Sequence, residues 1–149
     1  MSDESKETWT DLEVLLADKT ELFLNDVAKI PEKEDLLKYI RIDLDPDSFL
    51  DYADAEMVLL ITEIIRFLLG EDGAALPPTL REQTARWMFD WEEKDLQLAA
   101  KALMKIAQNG SEMDLVMESC NVTQWKGFIA DRASWFHNKK KGVQNGEWK

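Results

Sequence analysis

The sequence predicts a single all-α domain of six to seven helices, packed as a helical bundle or an orthogonal array. Three observations carry that expectation. Apolar residues recur at helical spacing through most of the chain, and strand-like alternation is nearly absent. Helix-start signals stand ahead of several of these segments, and the loops between them are short, which favours antiparallel neighbours. The chain has 149 residues, 45% of them hydrophobic, enough to bury a core without a disulfide or a metal. Six tryptophans and six phenylalanines argue against disorder.

The domain is expected over residues 10–137. A flexible acidic N-terminus would occupy 1–9 and a flexible tail 138–149, because NKKKGVQNGEWK has no apolar period. The loop GEDGAALPP, at 70–78, is a possible subdomain break, but each half is too small to build a good core alone.

The first helix opens at Thr10, with Glu13 three residues on as a capping box and Trp9 and Val14 as a hydrophobic staple. Leu12, Leu15, Leu16, Leu22, Phe23, Val27 and Ile30 then repeat at helical spacing. Pro31 ends this helix or starts the next, in which Leu36, Leu37 and Ile40 face inward. A third helix is expected from Asp45 as cap and Pro46 as first residue, since proline lacks the N–H that a first turn cannot use. Asp47 and Asp51 would lie near its positive end, and its upper part is apolar nearly all round, which places it at the centre of the core. Gly70 is placed to end it.

Thr79 and Glu82 form a second capping box, for a helix from Leu80 that carries Ala85, Met88 and Trp91. It continues or bends near Glu92–Asp95, then runs to a stop at Asn109–Gly110. Ser111 with Asp114 opens a short helix, and Asn121 with Gln124 opens the last one, where Trp125, Phe128, Ile129, Arg132 and Phe136 share a face.

The charge is −12 and unevenly placed. Residues 1–72 carry 20 acidic and 7 basic side chains, a net of −13, whereas residues 73–149 carry 10 and 11, a net of +1. The first half would repel a phosphate backbone, so no nucleic acid is expected as partner. The longest apolar run, MVLLITEIIRFLL, is interrupted by Glu63 and Arg66 and is too short to cross a bilayer. The acidic start MSDESKETW does not resemble a signal peptide, and a cytoplasmic location is expected. One cysteine and one histidine leave too few ligands for a zinc or di-iron centre.

DLDPDSFLDYAD, residues 43–54, poses the sharpest chemical question. On a 12-residue calcium loop, Asp43, Asp45 and Asp47 would take positions 1, 3 and 5, Asp51 position 9 and Asp54 position 12. Ser48 stands where the turn wants glycine, Asp54 is shorter than the usual glutamate, and Pro46 suits a helix start better. The sequence leans towards a helix start, with no cofactor, and keeps calcium as the alternative. A magnesium-dependent hydrolase is a further alternative, built on the helix carboxylates Glu92, Glu93 and Asp95 or Asp51, Asp54 and Glu63, though no glycine-rich phosphate loop stands near them.

RWMFDW places four large apolar side chains in five positions, too many for one helix face. Either that helix is sandwiched, or an aromatic pair is exposed. Trp87, Phe89, Trp91 and Trp135 are therefore the candidate partner-binding residues. The function expected is a non-catalytic acidic interaction module, of inhibitor, immunity-like or adaptor type. It would bind a basic protein or form a homodimer.

Overall fold

A computed structural model describes residues 12–26, 31–41, 51–73, 75–108, 111–119 and 124–145. Among them stand seven helices and no strand, folded as one all-α domain. They are α1 (Leu12–Asp26), α2 (Lys33–Arg41), α3 (Tyr52–Leu68), α4 (Pro78–Thr84), α5 (Glu93–Ile106), α6 (Glu112–Ser119) and α7 (Trp125–Asn145).

α3 is the hub, touching α1, α2, α4, α5 and α6. From Val58 to Arg66 every side chain is buried, as nearly all-round apolarity predicts. Each fully buried leucine or isoleucine there contributes about 1.5–3 kcal/mol of transfer free energy. The other long seam is α5 against α7, which joins Ala99, Leu103 and Ile106 to Ile129, Ala133 and Phe136 in the same core. Because α3 packs on α5 and α6, the 70–78 loop does not divide the molecule.

The helix starts follow local chemistry, though not always at the expected residue. Asp51, extended at φ −79 and ψ 172, caps α3 by accepting from the Asp54 N–H at 2.8 Å. The Tyr52 N–H donates to Glu112 Oε1, so a second carboxylate sits at the positive end of the helix. Asp51 is thus the cap and not a residue of the first turns. Asp45 and Pro46, offered as the start, lie outside the described residues, as do Thr10, Trp9, Cys120 and Asn121.

α4 begins one residue before Thr79. Pro77 is the cap and Pro78 the first helical residue, so the Thr79–Glu82 box is not the device used. α5 starts afresh at Glu93, with Asp95 Oδ2 accepting from the Glu92 N–H at 2.9 Å. Ser111 Oγ accepts from the Asp114 N–H at 3.1 Å, the expected cap of α6. α7 does not stop at His137 but runs on to Asn145. Lysines at 139–141 have good helix propensity, and Lys139 Nζ lies 5.6 Å from the Trp135 ring centroid one turn back.

Two glycines close α3. Gly70 has φ +117, and its N–H bonds to the Phe67 carbonyl. Gly73 has φ +67, and a Cβ there would stand 2.7 Å from Phe67 Cδ1 and 3.1 Å from Arg81 Cδ. Gly73→Ala is therefore expected to cost about 2 kcal/mol in chemical denaturation, from left-handed backbone strain plus overpacking. An unchanged midpoint would show that the corner relaxes freely.

Candidate functional site

Residues 85–92 are not helical, which corrects the expected continuous helix through Trp91. α4 ends with the Thr84 hydroxyl on the Leu80 carbonyl at 2.8 Å and the Trp87 N–H on the Thr84 carbonyl at 2.9 Å. The chain then leaves the helix, and burial alternates. Trp87 and Trp91 are only 4% and 6% exposed and Phe89 is half-buried, whereas Met88 is 91% exposed and Asp90 is exposed as well. A period of two buries three aromatics on one side, which a helical period could not do.

The buried rings form a chain. Tyr39 of α2 meets Phe23 of α1 edge-on at 5.8 Å, and Phe23 meets Trp87 at 6.2 Å. Trp87 meets Phe89 at 6.2 Å, and Phe89 meets Trp91 edge-on at 5.6 Å. Such tilted and edge contacts each add about 0.5–1.5 kcal/mol beyond area burial. Trp87 and Trp91 are therefore core side chains, and the exposed aromatic pair offered by the sequence is not present among them.

Those three aromatics nevertheless line a hollow. Leu68, Leu69 and Gly70 form one wall, Trp87, Phe89 and Trp91 the other, and Met88 stands at its lip; its volume is about 310 Å³. Carboxylates adjoin both walls in the chain. Glu71 and Asp72 follow Gly70, and Asp90 and Glu92 bracket Trp91.

Trp135, the fourth residue expected to bind a partner, is half-buried one hydrogen bond away. Its Nε1–H donates to Glu71 Oε2 at 3.2 Å. Glu71 Oε1 accepts from Arg66 Nη2 at 3.2 Å, and the Arg66 guanidinium stacks 5.0 Å over the Trp135 ring. Arg66 Nη1 donates to Glu63 Oε1 at 2.9 Å, and Arg132 Nε donates to Glu63 Oε2 at 2.8 Å. Glu63 is 4% exposed and bridges two arginines from different helices. The hollow's Gly70–Glu71 corner is thus fastened to α7 through charge.

Lys33 fixes the other end of the aromatic segment. Its ammonium donates to the Asp90 carbonyl at 2.8 Å and to Asp95 Oδ2 at 2.7 Å, with Glu92 at 3.5 Å. Burial alone would lower its pKa, but the hydrogen bond and charge of Asp95, with Glu92 adding, hold it above the ordinary 10.5. A lysine raised in the folded state contributes stability that is intact below 10.5 and disappears as pH climbs through the folded value. Lys33→Met should remove that component, so the alkaline fall of the melting temperature becomes shallower than in the native chain. Parallel alkaline limbs would show that the pair does not contribute.

The other candidate carboxylates fall into three groups. Glu92 and Asp95 are neutralised by Lys33, with Lys94 3.9 Å from Glu92, and Glu63 by its two arginines. Asp43, Asp45 and Asp47 lie outside the described residues. Asp54 is held above the usual carboxylate range, first by partial burial and then by the charge and hydrogen bond of Asp51, with Lys19 opposing. Among the described residues, no three histidine, cysteine, aspartate or glutamate side chains gather to hold a metal. No described helix is long and apolar enough to cross a membrane.

Met88, Leu68, Leu69 and Glu71 were not among the expected site residues. The signal for Met88 was present in W-M-F-D-W, where every second residue is aromatic. In comparisons with protein-family models, curated proteins and solved structures, nothing matches this chain.

Proposed function

We propose that this chain is a non-catalytic interaction module, of inhibitor, immunity-like or adaptor type, that receives a basic cytoplasmic protein at the Met88 hollow. One observation carries the reading. A methionine stands 91% exposed at the lip of an aromatic-lined hollow of about 310 Å³. Methionine is unbranched and polarizable, so it adapts to a partner's surface at little cost. The buried tryptophans form the rigid floor, and Met88 replaces them as the anchor. Charge selects the partner's chemistry through exposed Asp90 beside the aromatic wall, since Glu71 and Glu92 are engaged by Arg66 and Lys33 and exposed Arg86 opposes it.

The test is capture on immobilised protein, comparing the native chain with Met88→Gln/Asp90→Asn. Both positions are exposed, so stability should stay within about 0.5 kcal/mol. A basic protein held by the native chain, released by moderate salt and lost with the variant is the expected result. Equal retention by the variant would exclude the hollow. A partner held only in calcium, and released by chelator, would move the function to the aspartates at 43–54.

A further inference from the structure

A second surface, away from the Met88 hollow, carries the opposite charge. Lys101 and Lys105 of α5 and His137 of α7 line a groove of about 360 Å³ with Ala100, Met104 and Gln108. Lys101 is exposed, and Met104, between the two lysines, is 52% exposed. Both groove-forming stretches are free of acid. From Leu96 to Ser111, and again from Arg132 to Gly146, the chain holds no aspartate or glutamate. In a chain of net charge −12 this groove is a local exception.

α1 presents the complement. Leu22 is 59% exposed, although its helical spacing places it with the core-facing leucines. Exposed Glu21 adjoins it. An exposed leucine beside a carboxylate on α1 thus matches an exposed methionine between two lysines at the groove. We propose that the outer face of α1 in one copy of this chain docks in the α5–α7 groove of a second copy. The proposed contact is head-to-tail, one α1 in one groove. Each docked pair leaves one α1 and one groove unfilled, and assembly proceeds to a ring or an open chain. The attraction acts at close range, while the repulsion between net charges is screened beyond a Debye length of about 8 Å at physiological salt.

Sedimentation velocity of the full chain, from about 10 μM to about 1 mM, is the test. The mean mass of the native chain should climb past that of a dimer. Lys101→Gln/Met104→Gln removes only the groove, and Glu21→Gln/Leu22→Gln removes only the α1 face. All four positions are exposed, so both variants should keep the native circular dichroism spectrum. Each alone should weaken self-association at least about tenfold. Mixed one to one, they retain one intact α1 and one intact groove, and should give a dimer and nothing larger. A native chain that stays monomeric to about 1 mM, variants that still assemble, or a mixture that stays monomeric would each overturn the proposal.

Discussion

Trp87→Ala should destabilise the protein by about 3–5 kcal/mol, while Met88→Ala, its immediate neighbour, should change stability by less than about 0.5 kcal/mol. The contrast follows from alternation. Trp87 is 4% exposed and stacks on Phe23 and Phe89, so its truncation opens a cavity between α1 and the extended segment. Met88 points into solvent. A domain of this size has a total stability of roughly 5–15 kcal/mol, so the tryptophan variant would sit near its unfolding threshold at ordinary temperature. Urea denaturation of both variants measures the difference. If Trp87→Ala cost no more than Met88→Ala, the segment would not be held by its aromatics, and the hollow would have no fixed floor. Trp87→Phe should recover part of the loss, because a ring still meets Phe23.

Glu63→Ala is expected to cost about 3 kcal/mol, for an electrostatic reason. The glutamate neutralises Arg66 within its own helix and Arg132 of α7, and all three side chains are largely withdrawn from water. Removing it strips Arg132 of its carboxylate and leaves Arg66 only the more exposed Glu71, in a site of low dielectric. Arg66 has little slack, since its Nε is buried without a partner and its face is covered by Trp135. Replacing the charges together, as Glu63→Leu/Arg66→Met/Arg132→Leu, should restore much of the loss, because an apolar trio needs no compensation. Denaturant midpoints of the single and triple variants decide it. A single-variant cost below about 1 kcal/mol would mean that both arginines swing out to water. A triple variant worse than Glu63→Ala would mean that the stacking of Arg132 on Phe128, 4.2 Å from its ring centroid, and of Arg66 on Trp135, and not charge, holds α7 in place.

These two variants probe features of different legibility. Trp87 was picked out by the sequence, but with the wrong geometry. The segment R-W-M-F-D-W follows a helix and precedes one, so its flanks favour a helical period across it. Aromatic residues alternate with others there, yet five residues are too few to decide between periods of 2 and 3.6. In the sequence Glu63 and Arg66 only interrupt an apolar run. Nothing local says that Arg132, 69 positions away, turns them into a buried bridge.

The sequence by itself determined the class, most of the helices and the centre of the core. α2 with Leu36, Leu37 and Ile40 inward, α3 buried around Val58–Ile65, the Gly70 stop and the Ser111 cap are all local matters of period and end chemistry. It also determined the asymmetry of charge. Tertiary structure decided what depends on distant partners: where the helix before Trp87 ends and which of Leu22 and Phe23 faces water. The physical reason is the same in each case. Helical spacing fixes which side chains share a face, but only the neighbouring elements fix which face is covered. Here Phe23 and Lys33 determine where the aromatic segment lies, Glu71 ties down the opposite wall, and together they set where the hollow opens.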